Sequence, residues 1–167
     1  PAHHDPGRHN LAGSRFTPQE MAQIRIGNTP GHMHVAVEQF APGWGIKNCG
    51  TKVAPGLRDE WGGRKNVLVT HPLDEKTGCM LMRKNLKVPE GKKTTLRIVV
   101  AAEPKGDFDL IVRSGDQDLL RTTVSQATAT DGPWVVKEVD LSKLAGKKPV
   151  RLDVINEPSG WTSEAAY

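Results

Sequence analysis

The sequence predicts an antiparallel β-sandwich, and three observations support this fold class. Seven or eight short runs of β-branched and aliphatic residues recur about every 8 to 14 residues. Turn residues separate these runs, and only one short helix is indicated. The chain has 167 residues, which suits one domain that can bury a sizeable core. We therefore expect an all-β domain with one short N-terminal helix.

Residues 1–30 are expected to form an N-terminal arm, and residues 31–167 the sandwich domain. The first part of the arm is polar and has no hydrophobic period. A capping box then places Thr17 at the cap and Glu20 three residues later, with a proline in the first turn. This pattern predicts a short helix that ends at Ile24.

The stretch from His32 to Val37 alternates in a way that predicts a first strand, with both histidines and Ala36 on one face. Residues 47–65 are rich in glycine, lysine and arginine, and they are predicted to form a long loop. Loops of this length in compact domains are often binding loops. Trp61, followed by two glycines, favours that interpretation.

Seven further strands are predicted from alternation with a period of two. They cover residues 66–70, 79–86, 94–102, 108–113, 119–124, 135–140 and 150–155. A tight hairpin is expected between Ser114 and Asp116, and a short helical turn ending near Leu144 separates the last two strands. Short corners of this kind are typical of an antiparallel sandwich.

The stretch from Trp134 to Tyr167 resembles the end of galactose-binding-like jelly-roll domains. It has a tryptophan-led strand, a Val-Asp-Leu-Ser corner, a Leu-Ala-Gly-Lys segment, and a strand and loop that lead to Ala-Tyr. Many members of that superfamily are carbohydrate-binding modules. Four motifs of the first half resemble such modules in secreted multidomain bacterial proteins: Gly43-Trp44, Cys49-Gly50, residues 66–72 and residues 88–92. The resemblance covers roughly Val35 to Tyr167.

The resemblance implies a carbohydrate ligand, other domains in the same polypeptide, and a secreted or periplasmic location. In that superfamily the Ala-Tyr pair usually begins a strand, which is missing or barely started after Tyr167. We therefore expect the sandwich domain to be truncated at its C-terminus.

The two cysteines, Cys49 and Cys79, enclose a segment of about 30 residues. In a secreted protein they are expected to form a disulfide, which by the loop-entropy model would stabilise the fold by roughly 3 to 4 kcal/mol. The alternative is a pair of buried free thiols, each behaving as a small apolar group.

A ligand site is predicted around two loop tryptophans, because the flat C–H face of a pyranose packs on an aromatic ring while its hydroxyls need polar partners. Trp61 has Arg58 and Arg64 nearby in sequence, and Trp161 has Asn156 and Glu157. Loops collect at the ends of a jelly roll, so these two loops are expected to meet. The alternative is that one or both tryptophans close the edge of the core.

Composition and motifs argue against several other functions. The formal net charge of +4 is spread along the chain, which argues against a dedicated nucleic-acid binder. No apolar stretch approaches the roughly 18 residues of a membrane span. Neither a nucleophile elbow nor a phosphate-binding loop is present, and Asp107 and Asp109 are better explained as hairpin flanks than as a glycosidase pair. The domain is therefore predicted not to be an enzyme.

The sequence thus favours a non-catalytic carbohydrate-binding accessory module of a larger secreted protein. The first alternative is a structural or protein-docking sandwich without a glycan ligand. The second is a small metal-binding domain that uses His32, His34 and His71. No cofactor is expected, although Glu38 and Asp153 are conceivable ligands of a structural Ca²⁺ ion.

Overall fold

The fold is that of a computed structural model, which describes residues 32–146 and 148–167. The predicted arm, and with it the helix expected to end at Ile24, lies outside the described residues. In chain order the elements are helix α1 (His32–Phe40) and strands β1 (Trp44–Lys47), β2 (Gly56–Trp61), β3 (Arg64–Val69), β4 (Cys79–Leu86), β5 (Thr95–Ala101), β6 (Asp107–Ser114), β7 (Gln117–Ser125), β8 (Trp134–Asp140) and β9 (Val150–Glu157). Single 3₁₀ turns lie at Gln126–Thr128 and Ser142–Leu144.

Five strands form one layer of the domain, in the order β1-β4-β9-β6-β7. Every neighbouring pair in this layer is antiparallel. The β6–β7 hairpin has a two-residue turn in which Gly115 has a φ of 58°, a conformation that glycine adopts without steric cost. The hairpin predicted between Ser114 and Asp116 is confirmed.

The second layer consists of two antiparallel pairs, β2–β3 and β5–β8. The last residues of the sequence join them. Ala166 forms a bridge to Thr70, directly after β3, and another to Ala102, directly after β5. Tyr167 and Ala101 exchange two backbone hydrogen bonds of 3.0 Å. The order across this layer is therefore β2, β3, the segment of Ala166 and Tyr167, β5 and β8.

Side chains from both layers meet in a common core. Phe108 and Leu110 of β6 pack with Val100 of β5 and Val135 of β8, and all four are at most 6% exposed. Alternation along each strand sends these residues inward and their sequence neighbours outward. The predicted antiparallel sandwich is confirmed, and α1 is the only α-helix among the described residues.

The strand predicted from His32 to Val37 is wrong, because this stretch lies in α1. Met33, Ala36 and Val37 are buried at the spacing of a helical face, and they pack against Ile46 of β1. The same residues satisfy both a period of two and a period of 3.6, so the pattern alone was ambiguous. The helix is favoured because it places its apolar side chains on one face, where they cover the apolar residues of β1, β2 and β3.

The long loop predicted at residues 47–65 is also wrong. It contains β2 and the start of β3, which pair as a hairpin from Gly56↔Val69 to Trp61↔Arg64. Gly62 and Gly63 form the two-residue turn, with φ of 56° and 78°. A Gly-Gly pair between two strands is a known hairpin signal, and here the surrounding charged residues masked it.

The predicted disulfide between Cys49 and Cys79 is absent, and both residues are free thiols. Cys79 begins β4 and is 2% exposed, whereas Cys49 is half-buried. A hydrogen bond from the Cys79 thiol lowers the pKa of Cys49, and the same interaction, together with burial, raises the pKa of Cys79. The pair therefore corresponds to the alternative of buried free thiols.

None of the helices among the described residues has the length and hydropathy needed to cross a bilayer.

The substitution Phe108→Ala is expected to lower the free energy of unfolding by about 3 to 5 kcal/mol, because it leaves a cavity between the two layers. Phe108 is 0% exposed. Chemical denaturation measures the loss. The matched control is Leu73→Ala, since Leu73 is an apolar residue that is 50% exposed and should change stability by less than about 0.5 kcal/mol. Equal effects of the two substitutions would contradict the placement of the core.

The two thiols provide a second test. When the protein is unfolded without reductant, a disulfide-exchange reagent should detect two free thiols in each chain. In the folded protein, iodoacetamide should modify Cys49 before Cys79, because the thiolate is the reactive form and Cys79 is both more buried and harder to ionise. Mass spectrometry of digested protein identifies the labelled residue. If no free thiol were found after unfolding, Cys49 and Cys79 would form a disulfide after all, and the assignment of two free thiols would be wrong.

Candidate functional site

Three aromatic side chains form a cluster on the outer face of the second layer, and we call Trp61, Trp134 and Tyr167 the aromatic cluster. Trp61 stacks on Tyr167, with ring centroids 3.9 Å apart and planes 11° apart. Trp61 and Trp134 meet edge to face, with ring centroids 5.4 Å apart and planes at 86°. The edge-to-face arrangement suits the ring quadrupoles. Trp61 and Tyr167 remain half-buried, so the cluster keeps part of its surface in solvent.

Trp134 is the structural member of the aromatic cluster. It is 4% exposed, and its Nε1–H donates a 2.7 Å hydrogen bond to the carbonyl of Gly62 at the tip of the β2–β3 hairpin. A Cβ at Gly62 would lie 3.1 Å from Pro133 Cγ and 3.2 Å from Trp134 Cζ2, so this glycine allows the close approach. Trp134 therefore belongs to the core, and its hydrogen bond fixes the end of β2 that carries Trp61.

A solvent-facing ion pair borders the aromatic cluster. Arg64 Nη2 lies 3.7 Å from Asp131 Oδ2, and the two side chains are 40% and 73% exposed. The guanidinium carbon lies 5.3 Å from the centroid of Trp134, within the range of a cation–π contact. Exposed pairs of this kind contribute little to stability. Arg64 and Asp131 therefore offer donors and acceptors beside Trp61 at small structural cost.

Glu103 connects the aromatic cluster to the loop that carries Trp161. The hydroxyls of Ser163 and Tyr167 each donate a 2.6 Å hydrogen bond to its carboxylate. These two bonds, Ser163 first, lower the pKa of Glu103. Burial and the bond to Glu103 raise the pKa of Tyr167 well above its ordinary value. Tyr167 is thus kept protonated and fixed beneath Trp61.

The loop of residues 158–164 is built around a buried carboxylate. Glu164 is 1% exposed. Its side chain accepts hydrogen bonds from the backbone N–H groups of residues 159–162. Charge-assisted bonds of this kind are stronger than neutral ones, and they hold Trp161 at a φ of 62°. The Trp161 ring meets His71 edge-on at 5.3 Å and carries the Lys52 ammonium 4.5 Å from its centroid.

The predicted site residues lie in two separate places, one around Trp61 and the other around Trp161. The structure places Arg64 beside the aromatic cluster of Trp61, but Arg58 donates to the carbonyls of Val53 and Ala54, at 3.1 and 2.6 Å, and so holds a turn. Trp61 and Trp161 have different ring neighbours. Their link is indirect, because Glu103 binds both Ser163 of the Trp161 loop and Tyr167, on which Trp61 stacks.

On the side of Trp161, Asn156 is 5% exposed and donates to Thr70 Oγ1 and to the carbonyl of Glu164, both at 3.2 Å. Asn156 therefore supports the loop from inside the sandwich. Glu157 is half-buried at the end of β9, opposite Asp109 of β6.

Three residues of the site were not identified from the sequence: Tyr167, Asp131 and Glu103. From the sequence, Tyr167 indicated only the start of a strand. Its ring contacts could not be predicted, because they depend on how the two strand pairs of the second layer come together. Asp131 lies in a turn before β8, and Glu103 in a turn after β5. Neither turn carries a pattern that would distinguish a binding residue from an ordinary turn residue.

The residues considered for metal binding lie apart. His32 is buried and hydrogen-bonded to the carbonyl of Pro55 at 2.8 Å, His34 is exposed on α1, and His71 contacts the carbonyl of Pro72 at 2.8 Å. Within residues 32–146 and 148–167, no group of three histidine, cysteine or acidic side chains is placed to hold an ion. Glu38 accepts from the N–H of Gly43, and Asp153 from Arg151, so the two conceivable calcium ligands belong to different local networks.

Comparisons with family models and with curated proteins find no match. Among solved structures, a CBM4 domain is 15% identical over 78% of this chain and 91% of that chain, with a TM-score of 0.43. CBM35 from Paenibacillus barcinonensis is 12% identical over 75% and 91%, with a TM-score of 0.39. The N-terminal cellulose-binding domain of β-1,4-glucanase C from Cellulomonas fimi is 17% identical over 75% and 82%, with a TM-score of 0.43. These likenesses concern the fold alone.

The hydrogen bonds to Glu103 predict a stability that depends on pH. Because its pKa is lower in the folded protein than its ordinary value of 4.5, Glu103 contributes stability above that value and loses the contribution as the pH falls through the folded pKa. Glu103→Gln should lower the melting temperature at pH 7 and reduce its fall between about pH 5 and 3.

Thermal melts across this range measure the effect. The matched control is Glu90→Gln, in an exposed turn, which should melt like the parent at pH 7. A parent and a Glu103→Gln variant with parallel pH profiles would contradict the role of Glu103.

Proposed function

We propose that this domain binds carbohydrate on the surface formed by Trp61, Arg64 and Asp131, and that it performs no catalysis of its own. The observation that carries the proposal is the position of Trp61. Its ring stacks on Tyr167 with one face and meets Trp134 in an edge-to-face contact, and it stays half-buried beside a solvent-facing ion pair.

The chemistry of this surface suits a sugar ring. The C–H face of a pyranose packs on an aromatic plane, and its hydroxyls both donate and accept. The Arg64 guanidinium supplies several donors in one plane, and the Asp131 carboxylate supplies acceptors. Because contacts within the domain already fix Trp61, little side-chain entropy is lost when a ligand binds.

The acidic residues near the site support binding rather than hydrolysis. A glycosidase needs a carboxylic acid that stays protonated until it reaches the glycosidic oxygen. Glu103 is instead stabilised as a carboxylate by two hydroxyl donors, and its lowered pKa is the opposite of what a general acid needs. Asp131 already has Arg64 as its partner.

The proposal includes a secreted or periplasmic location and an accessory role beside other domains of the same polypeptide. This part is supported by the sequence resemblance to modules of secreted multidomain proteins. The two buried free thiols neither require nor oppose that location, since they contribute to the core as apolar groups.

A panel of soluble polysaccharides and oligosaccharides, followed by intrinsic tryptophan fluorescence and calorimetry, tests the proposal. At least one glycan should bind saturably. Trp61→Ala should weaken that binding at least tenfold, or by about 1.4 kcal/mol or more. Arg64→Gln and Asp131→Asn should weaken it less, with unchanged melting temperatures, because both side chains are exposed. Trp161→Ala is the matched control and should bind like the parent.

Two results would contradict the proposal. If the Trp61→Ala variant bound the glycan as tightly as the parent, the binding site would have to lie elsewhere on the domain. If no glycan binds and Trp61→Ala melts far below the parent, the aromatic cluster is structural, and the sandwich is better explained as a structural or protein-docking domain.

A further inference from the structure

The two free thiols lie together where β1 and β4 meet, and we call Cys49 and Cys79 the sulfur pair. Cys79 is the first residue of β4, and Cys49 follows shortly after the end of β1. Both pack in the apolar cluster that contains Ile46 and Leu57. The sulfur pair belongs neither to the sugar surface nor to a disulfide, so neither of these explains why two thiols face each other.

A break in the alternation of β1 turns Cys49 towards Cys79. Ile46 is buried and Lys47 is exposed, so regular alternation would place Cys49, like Lys47, on the outer face. Asn48 instead has a φ of 59°, in the left-handed region that residues other than glycine adopt only rarely. This turn reverses the direction of the next side chain, and Cys49 contacts Cys79. The backbone therefore builds the sulfur pair against the register of the strand.

A close approach of two chain segments fixes the other side of the sulfur pair. Cys49 forms a bridge to Pro72, and the N–H of Gly50 donates a 2.9 Å hydrogen bond to the carbonyl of His71. A Cβ at Gly50 would collide with the carbonyl oxygen of Pro72, so this contact requires glycine. The approach brings the backbone of His71 against both sulfur atoms.

Hydrogen-bond donors surround the two sulfur atoms. The thiol of Cys79 bonds to Cys49, and the backbone N–H of His71 donates to both sulfurs. The hydroxyl of Thr70 donates a further bond to Cys79. Donors of this kind stabilise sulfur ligands that carry negative charge, as they do around metal–sulfur centres. The surroundings of the sulfur pair therefore suit two thiolates bound to a cation.

The number of available ligands determines which ion could bind. In the described part of the chain, no third histidine, cysteine or acidic side chain completes a site, and Nδ1 of His71 is engaged by the carbonyl of Pro72 at 2.8 Å. Protein sites for Zn²⁺ supply three or four ligands, so two sulfurs do not suffice. Cu(I) is a soft ion that prefers sulfur ligands, and its filled d shell allows linear coordination by two thiolates.

The spacing of the sulfur pair also suits an ion between the two atoms. The pair is held in hydrogen-bonding contact, further apart than the roughly 2.05 Å of a disulfide. Two metal–sulfur bonds in line span about 4.6 Å, at about 2.3 Å each. Cys79 is 2% exposed and fixed in β4, whereas Cys49 is half-buried beyond the end of β1. A small movement of Cys49 therefore makes room for the ion, which enters from the side of Cys49.

We propose that Cys49 and Cys79 bind one Cu(I) ion in a linear site with two sulfur ligands. Each thiol loses its proton and forms one S–Cu bond, so two neutral thiols and Cu⁺ give a complex with one net negative charge and release two protons to water. No electron is transferred, because copper enters and stays as Cu(I). The hydrogen bonds from His71 and Thr70 stabilise the added charge. The site shares no residue with the sugar surface, so copper and glycan bind independently.

The test is an anaerobic titration of the full chain with Cu(I), supplied as its bicinchoninate complex. One equivalent of Cu(I) should move from the chelator to the protein, and X-ray absorption at the copper edge should show two sulfur neighbours and no nitrogen. Iodoacetamide should modify Cys49 about tenfold more slowly in the copper form, because a metal-bound thiolate is a poor nucleophile. Zn²⁺ at the same concentration should leave the rate of modification unchanged, since it finds too few ligands.

The decisive variant is Cys49→Ser, because Cys49 is half-buried and its replacement preserves the core. Its affinity for Cu(I) should fall by about 100-fold or more, since one of two ligands is lost, while the melting temperature stays near that of the parent. The matched control is Met80→Leu, which removes a sulfur from β4 outside the sulfur pair and should bind copper like the parent. Undiminished binding by Cys49→Ser, nitrogen ligands on the copper, or a chelator that retains all of the copper would each overturn the proposal.

Discussion

The structure depends on the backbone ladder that Ala166 and Tyr167 form between β3 and β5. The two antiparallel pairs of the second layer have no other strand between them among the described residues, so this short segment makes them one layer. Its hydrogen bonds to Thr70 and Ala101 are 2.9 to 3.0 Å long, and the segment is buried at Ala166, which is 8% exposed. Without it, the apolar faces of β3 and β5 would have no fixed relation to the core beneath them.

The same ladder positions the residues of the candidate site. It fixes the backbone of Tyr167, whose hydroxyl is held by Glu103 and whose ring supports Trp61. The hairpin carrying Trp61 is tied down a second time where Trp134 binds the carbonyl of Gly62. The proposed binding surface thus depends on the segment that closes the fold, so changes in that segment should alter ligand affinity even where no ligand contacts it.

Sequence patterns predicted the strands whose alternation has a single interpretation, such as β5 and β9, where aliphatic residues face one core. They failed where two periods fit the same residues, as in α1, and where charged residues concealed a hairpin, as at Gly62 and Gly63. For the site, Trp61 with Arg64 nearby could be identified from the local sequence. Its supports could not, because Tyr167 and Glu103 are 64 residues apart in the chain and meet only through the closure of the second layer.

Ala166 and Tyr167 form a strand segment between β3 and β5 on which the closure of the second layer depends. Amide hydrogen exchange of the free protein, resolved by residue with NMR, measures the stability of this segment directly. We expect strong protection of the amides of Thr70, Ala101, Ala166 and Tyr167, comparable to that of the central strand β9. Exchange of these four amides at the rate of an unstructured peptide would contradict this role, because the layer would then have no closure and Trp61 no fixed support.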